Sequence, residues 1–178
     1  MEALDKKNDE SVFIKLFVLR KKDKNNDWDM SEFKNEIHHL SRLRHTNIVT
    51  FYGLFFAPPS RVGYVCEFCK QGSVFNFLKN LISSSTNHFD KKGQDVFDSR
   101  KKLDWLIQIA KGMRYLHQKG VIFRDLKPEN VLIGNNGVLK ITDFGISKIK
   151  DDNKQSMVNM TRAAGTSIYM APEGFFIY

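Results

Sequence analysis

Residues 12–19 read Val-Phe-Ile-Lys-Leu-Phe-Val-Leu, a β-branched and aromatic run that is apolar on both faces and broken only by Lys15. Such a run forms a buried strand. A helix is expected from about Ser31 to Arg44, opened by Asp29 with Glu32 three residues later in the manner of a capping box. Phe33, Ile37, Leu40 and Leu43 make its apolar stripe, and at about 100° per residue Glu36 falls between Leu40 and Leu43, inside that stripe. A carboxylate on a buried face needs a partner. The lone Lys15 is the natural one, so strand and helix are expected to pack together.

Residues 48–56 and 62–68 read as two further strands around Pro58-Pro59-Ser60. Gly72-Ser73 opens a short helix to about Leu81, and Ser83-Ser84-Ser85-Thr86-Asn87 begins a polar insert, read as a loop, reaching roughly Asp95. A long amphipathic helix carries Leu103, Leu106, Ile107, Ala110, Met113 and Leu116 on one side and stops at Gly120. Asn135-Asn136-Gly137 joins Val131–Ile133 to Val138–Ile141 as a hairpin. There are no internal repeats. Strands with one helix come first, then mostly helices with a small hairpin, which is the order of an α+β fold rather than a βαβ sheet.

Composition narrows the class. The chain has 178 residues, about one domain. With 42% hydrophobic residues it has enough for a core. Two cysteines exclude a disulfide-dense scaffold. No apolar run approaches the roughly 20 residues of a membrane span, and Met1 to Lys7 is too polar for a signal peptide. A reducing, cytoplasmic setting is expected, and a nuclear one is compatible. The net charge of +8 lies in short clusters mixed with acids, such as Arg20-Lys21-Lys22-Asp23-Lys24, which read as solvated loops and not as a nucleic-acid surface. His38 and His39 read as surface polar residues. Cys66-x-x-Cys69 has no second cysteine pair, so metal or redox use is not expected.

The chemistry gathers further along. Phe123-Arg124-Asp125-Leu126-Lys127-Pro128-Glu129-Asn130 is followed by Asp143-Phe144-Gly145 and then by Gly165-Thr166 and Tyr169-Met170-Ala171-Pro172-Glu173. With Val12-Phe13-Ile14-Lys15 upstream, this ordered set resembles a eukaryotic-type protein kinase over roughly residues 11–178. The resemblance implies a bilobal fold, truncated at both ends. Residues 11–68 would belong to an incomplete first lobe and 69–178 to an incomplete second lobe.

It also implies transfer of the γ-phosphoryl group of ATP to protein hydroxyls in signal transduction, with Mg²⁺. Asp125 would accept or orient the substrate proton, Lys127 would place positive charge on the moving phosphoryl group, and Thr166 would bond to both. Asn130 and Asp143 would hold Mg²⁺. Lys15, pinned by Glu36, would hold the α- and β-phosphates. Glu67 and Cys69 would bond adenine through their backbones over a floor made by Leu132, with Cys66 as gatekeeper. Leu40, Phe51, Phe123 and Phe144 match the apolar spine of active kinases.

Lys127-Pro128-Glu129 and Gly165-Thr166 look like serine/threonine kinases, and Asp143-Phe144-Gly145-Ile146-Ser147-Lys148 suggests the tyrosine-kinase-like branch. Arg124 would receive an activation-loop phosphate, with Thr161 favoured over Ser156 as its site. Three features depart from the pattern. Phe123 stands in place of the usual histidine. No glycine lies within residues 1–11, so no Gly-rich loop is expected and residues 12–19 read as the first strand. The helices that follow Glu173 in the family have no counterpart, which would leave the apolar side of the long helix exposed. The alternative reading is a kinase-derived interaction module without catalysis.

Overall fold

A computed structural model describes residues 2–5, 10–21, 28–57, 60–83, 97–145, 147–149 and 166–171. The first part is a four-stranded antiparallel sheet. β1 (Glu2–Asp5) pairs with β2 (Glu10–Val18), β2 with β6 (Arg61–Glu67), and β6 with β5 (Phe51–Ala57), giving the order β1-β2-β6-β5. β3 (Arg20–Lys21) and β4 (Trp28–Asp29) form a small separate ribbon. The presence of β1 corrects the expectation that no strand precedes residue 12. Its four residues have no apolar pattern in the sequence, and its backbone pairs with β2, Glu2 opposite Phe13 and Asp5 opposite Glu10.

Helix α1 (Ser31–Leu40) lies on this sheet. Phe33 meets Phe17 edge-on with ring centroids 5.4 Å apart, and Leu40 is buried. Two expectations about α1 change. The Asp29 Oδ1 accepts the backbone N–H and the hydroxyl of Ser31, and Met30 is the capping position, so Asp29 closes a local turn rather than a capping box. The helix also stops at Leu40, not Arg44. Leu43 N–H bonds to the Leu40 carbonyl in a tighter turn, and Arg44 N–H is taken by the Tyr115 hydroxyl.

The strand read as 48–56 starts at Phe51. Residues 47–49 pair instead with Ile141, far along the chain: Ile141 N–H donates to Asn47 O and Val49 N–H to Ile141 O.

The second part is mostly helical. α2 (Val74–Ser83) and α3 (Ser99–Gln118) are followed by β7 (Val121–Ile122), the hairpin β8 (Val131–Ile133) and β9 (Leu139–Ile141), and β10 (Lys148–Ile149), which pairs with β7. The hairpin turns on Asn136 (φ 56°) and Gly137 (φ 74°), the two left-handed positions that an Asn-Gly turn supplies. Asp98 caps α3 by accepting the Lys101 N–H, and Gly120 ends it at φ 70°.

The stripe assigned to α3 divides. Leu103, Leu106 and Ile107 are 59%, 64% and 44% exposed, whereas Trp105, Gly112 and Leu116 are buried. Gly112 suits the docked face, because a Cβ there would stand 3.0 Å from the Asn47 carbonyl oxygen, closer than ordinary van der Waals contact. One core cluster runs through both parts. It takes Phe17, Phe33 and Tyr64 from the first, and Leu116, Phe123, Ile141 and Phe144 from the second. The polar insert after Ser83, and Ser156 and Thr161, lie outside the described residues.

Candidate active site

A cleft of about 290 Å³ opens between the two parts, close to the lower end of the range for small-molecule sites at roughly 300 Å³. Lys15 and Cys66 line it from the sheet, Cys69 from the connecting segment, and Asn130, Leu132 and Asp143 from the helical part.

Lys15 leaves β2 on the face covered by α1. Its Nζ donates to both oxygens of Glu36 at 2.8 Å and to Asp143 Oδ1 at 3.1 Å. Glu36 is fully buried, as the helical spacing demanded. Burial alone would lower the Lys15 pKa; Glu36, and after it Asp143, outweigh burial and hold it above the ordinary value. Tyr64 adds a second donor to Glu36, which the sequence reading missed. The available signal was a polar-tipped aromatic in a strand that is otherwise apolar between Arg61 and Glu67.

A second cluster forms where the segment after β7 meets residues 166–170. Thr166 donates its N–H and its hydroxyl to Asp125 Oδ1 at 2.9 and 2.8 Å. Lys127 Nζ lies 2.9 Å from Asp125 Oδ2 and donates to Thr166 Oγ1 at 2.7 Å. Asn130 spends its Nδ2 on the backbone and side-chain oxygens of Asp125 at 2.9 and 2.8 Å. Burial would raise the Asp125 pKa, but the Lys127 and Thr166 hydrogen bonds overcome it and hold the carboxyl below its usual range. Arg124 and Asp143 both sit at positive φ, 64° and 65°, a strained conformation for residues other than glycine. Phe123 stacks edge-on against Phe144 at 5.3 Å, both fully buried with Leu40.

Along the connection, the Cys69 carbonyl accepts the Gly72 N–H, while its own N–H has no acceptor among the described residues. The Glu67 N–H is taken by Thr50 O. The Glu67 side chain is also engaged, accepting Thr50 N–H and Lys140 Nζ at 2.8 Å each. Burial pushes the Cys66 thiol up to about 12 and the Cys69 thiol to about 11, and both are free cysteines. His38 is exposed, but His39 is buried at 4%, which corrects its reading as a surface residue. Its Nδ1–H donates to Asn35 O, an acceptor inside its own helix. Asn35 in turn donates to the Gly145 carbonyl, tying α1 to the turn after Asp143.

A family model described as "Protein kinase domain" matches residues 1–175. The chain belongs to the protein kinase family. It is 39% identical over 144 residues to a probable serine/threonine-protein kinase of Dictyostelium discoideum, covering 81% of this chain and 14% of that protein. It is 35% identical over 147 residues to the serine/threonine-protein kinase CTR1 of Arabidopsis thaliana, covering 81% of this chain and 16% of that one. Mitogen-activated protein kinase kinase kinase 12 of Rattus norvegicus is 39% identical over 140 residues, 79% of this chain and 14% of the relative. The chain thus spans less than a fifth of the length of these three relatives. Membership in the kinase family implies ATP and, typically, Mg²⁺. Among the described residues no helix is long and apolar enough to cross a membrane.

The residues present fit such ligands. Asn130 has committed its amide nitrogen to Asp125, so its Oδ1 is the atom left to meet a cation. Asp143 is half exposed at the cleft and bonds Lys15 through Oδ1 only. A carboxylate with an amide oxygen is a hard donor set suited to Mg²⁺. Cys69, whose N–H has no acceptor among the described residues, lines the cleft.

Proposed function

We propose that the chain carries the phosphoryl-transfer site of a serine/threonine protein kinase. The reading rests on one observation: two ion-paired clusters reach one cleft, Lys15–Glu36–Asp143 through Lys15 and Asp143, and Lys127–Asp125–Thr166–Asn130 through Asn130. Lys15 would hold the α- and β-phosphates of ATP, Cys69 and Glu67 would meet adenine through their backbones, and Leu132 would pack beneath it. Asn130 and Asp143 would hold Mg²⁺, which when bound neutralises phosphate charge.

Asp125 receives the hydroxyl of a protein serine or threonine. Because its pKa is depressed, it is ionised at neutral pH and a weak base. It therefore orients the hydroxyl and takes the proton late, once the oxygen has begun to bond to phosphorus. Lys127 stabilises charge on the transferring group from beside Asp125. Thr166 fixes both side chains, and its place between Asp125 and Lys127 supports hydroxyl substrates of the serine/threonine type.

The test has two arms. Mg-ATP should raise the melting temperature of the chain, and Lys15→Met and Asp143→Asn should each abolish the rise. In the full-length protein, Asp125→Asn should reduce phosphorylation of a protein substrate at least about a hundredfold. Unchanged melting of the wild type, or full activity of Asp125→Asn, refutes the assignment.

A further inference from the structure

The Glu36 carboxylate, fully buried in α1, is held from two strands at once. Lys15 reaches it from β2. Tyr64, directly opposite Lys15 in the register of β2 and β6, donates its hydroxyl to Glu36 Oε1 at 2.7 Å. The Tyr64 ring is 2% exposed and lies near Phe17 and Phe51, with centroids 6.3 and 6.4 Å away. We propose that Tyr64 is a positioning residue whose hydroxyl keeps Glu36, and with it α1, docked on the sheet while Lys15 turns part of its hydrogen bonding to a nucleotide triphosphate. The proposal rests on the reading of Lys15 as the phosphate-binding residue.

The count of donors supports it. An ammonium has three N–H groups. Glu36 Oε1, Glu36 Oε2 and Asp143 Oδ1 already occupy the directions around Lys15. A phosphate that recruits Lys15 has to draw a donor away from a carboxylate. Glu36 is the one that water cannot reach, and a buried carboxylate short of donors is strongly unfavourable.

Tyr64 removes that conflict by leaving Oε1 a charge-assisted hydrogen bond that does not depend on Lys15. Burial, and then the Glu36 charge, hold the phenol protonated far above its ordinary range, so it remains a donor at every working pH. An apolar side chain would fill the same space between Phe17 and Phe51. The hydroxyl, not the ring, is the functional part.

The experiment compares the full chain as wild type, Tyr64→Phe, Lys15→Met and the double variant, with and without Mg-ATP. Amide hydrogen exchange over α1 reads the docking of the helix and needs no activity. Tyr64→Phe keeps the ring and should melt close to the wild type, yet α1 should exchange about tenfold faster, the size expected for losing one hydrogen bond to a charged group. The double variant should exchange faster than either single one. The dissociation constant for Mg-ATP should rise by about the same factor in Tyr64→Phe.

Wild-type exchange rates in Tyr64→Phe overturn the proposal. If the wild-type chain binds no Mg-ATP, the nucleotide-site reading fails, and the exchange arm still decides the role of Tyr64. The wild type also gives a reading without substitution. The Tyr64 hydroxyl proton should exchange slowly enough to be seen by NMR, and a rapidly exchanging one overturns the proposal even if the phenylalanine variant fails to fold.

Discussion

Replacing Thr166 with valine keeps the shape of the side chain and removes its hydroxyl. Two hydrogen bonds disappear, Lys127 Nζ to Oγ1 at 2.7 Å and Oγ1 to Asp125 Oδ1 at 2.8 Å. Two supports remain, the Thr166 N–H on Oδ1 at 2.9 Å and the Lys127–Asp125 pair at 2.9 Å. A hydrogen bond to a charged group contributes about 1.5–3 kcal/mol. The Lys127 and Asp125 side chains are 21% and 12% exposed, so water recovers part of the loss. A net penalty of about 2 kcal/mol follows, which is roughly thirtyfold in rate. The assay is steady-state phosphorylation of a protein substrate by the full-length protein, with Thr166→Ser beside Thr166→Val. Serine restores the hydroxyl and should stay within about threefold of the wild type. A valine variant as fast as the wild type, or a serine variant as slow as valine, refutes the reasoning.

Three more outcomes are expected. Gly112→Ala should lower the melting temperature by a few degrees, although alanine usually stabilises a helix interior. The added Cβ would sit 2.8 Å from Ile141 Cδ1 and 3.0 Å from the Asn47 carbonyl, and the second of these is backbone that cannot swing aside. Iodoacetamide at pH 8 should modify Cys66 and Cys69 at least about a hundredfold more slowly than free cysteine, because burial keeps both thiols protonated. His39, held below its ordinary value first by burial, should make the fold acid-sensitive. Its unfolded-state pKa is about 6.5, so stability is complete above that pH and declines as pH falls through the lower folded value. His39→Leu should flatten the melting-temperature profile between pH 7 and pH 5, and an unchanged profile contradicts the assignment.

Much of the site was legible because its residues break local rules. Lys15 in an apolar strand and Glu36 in an apolar stripe each demanded a partner, and they found one another at 2.8 Å. Asn136-Gly137 announced its turn through the two left-handed positions. Tyr64 was not legible, since a tyrosine in a strand reads as packing until its hydroxyl is located. The buried side of α3 was ambiguous for a different reason. Two neighbouring stripes are both apolar, and the fit of Gly112 to the docked one shows only when Asn47 is seen beside it. The late start of β5 has the same origin, for the backbone around Asn47 and Val49 is claimed by Ile141, far along the chain. The burial of His39 was not legible either, since its neighbour His38 on the same helix is exposed.

The stitching of residues 47–50 to β9 has a mechanical consequence. Asn47 and Val49 exchange backbone bonds with Ile141, the Asn47 amide reaches Leu139 O, and Glu67 ties Thr50 to Lys140. The backbone of the sheet part is thus joined to that of the helical part at two places, the strap after Glu67 and this seam. A door on two pins swings about the line between them and does not twist. An opening between the two parts would pivot there, so the C-terminal end of α1, seven residues before the seam, would stay near the pivot while its N-terminal end would sweep the wider arc.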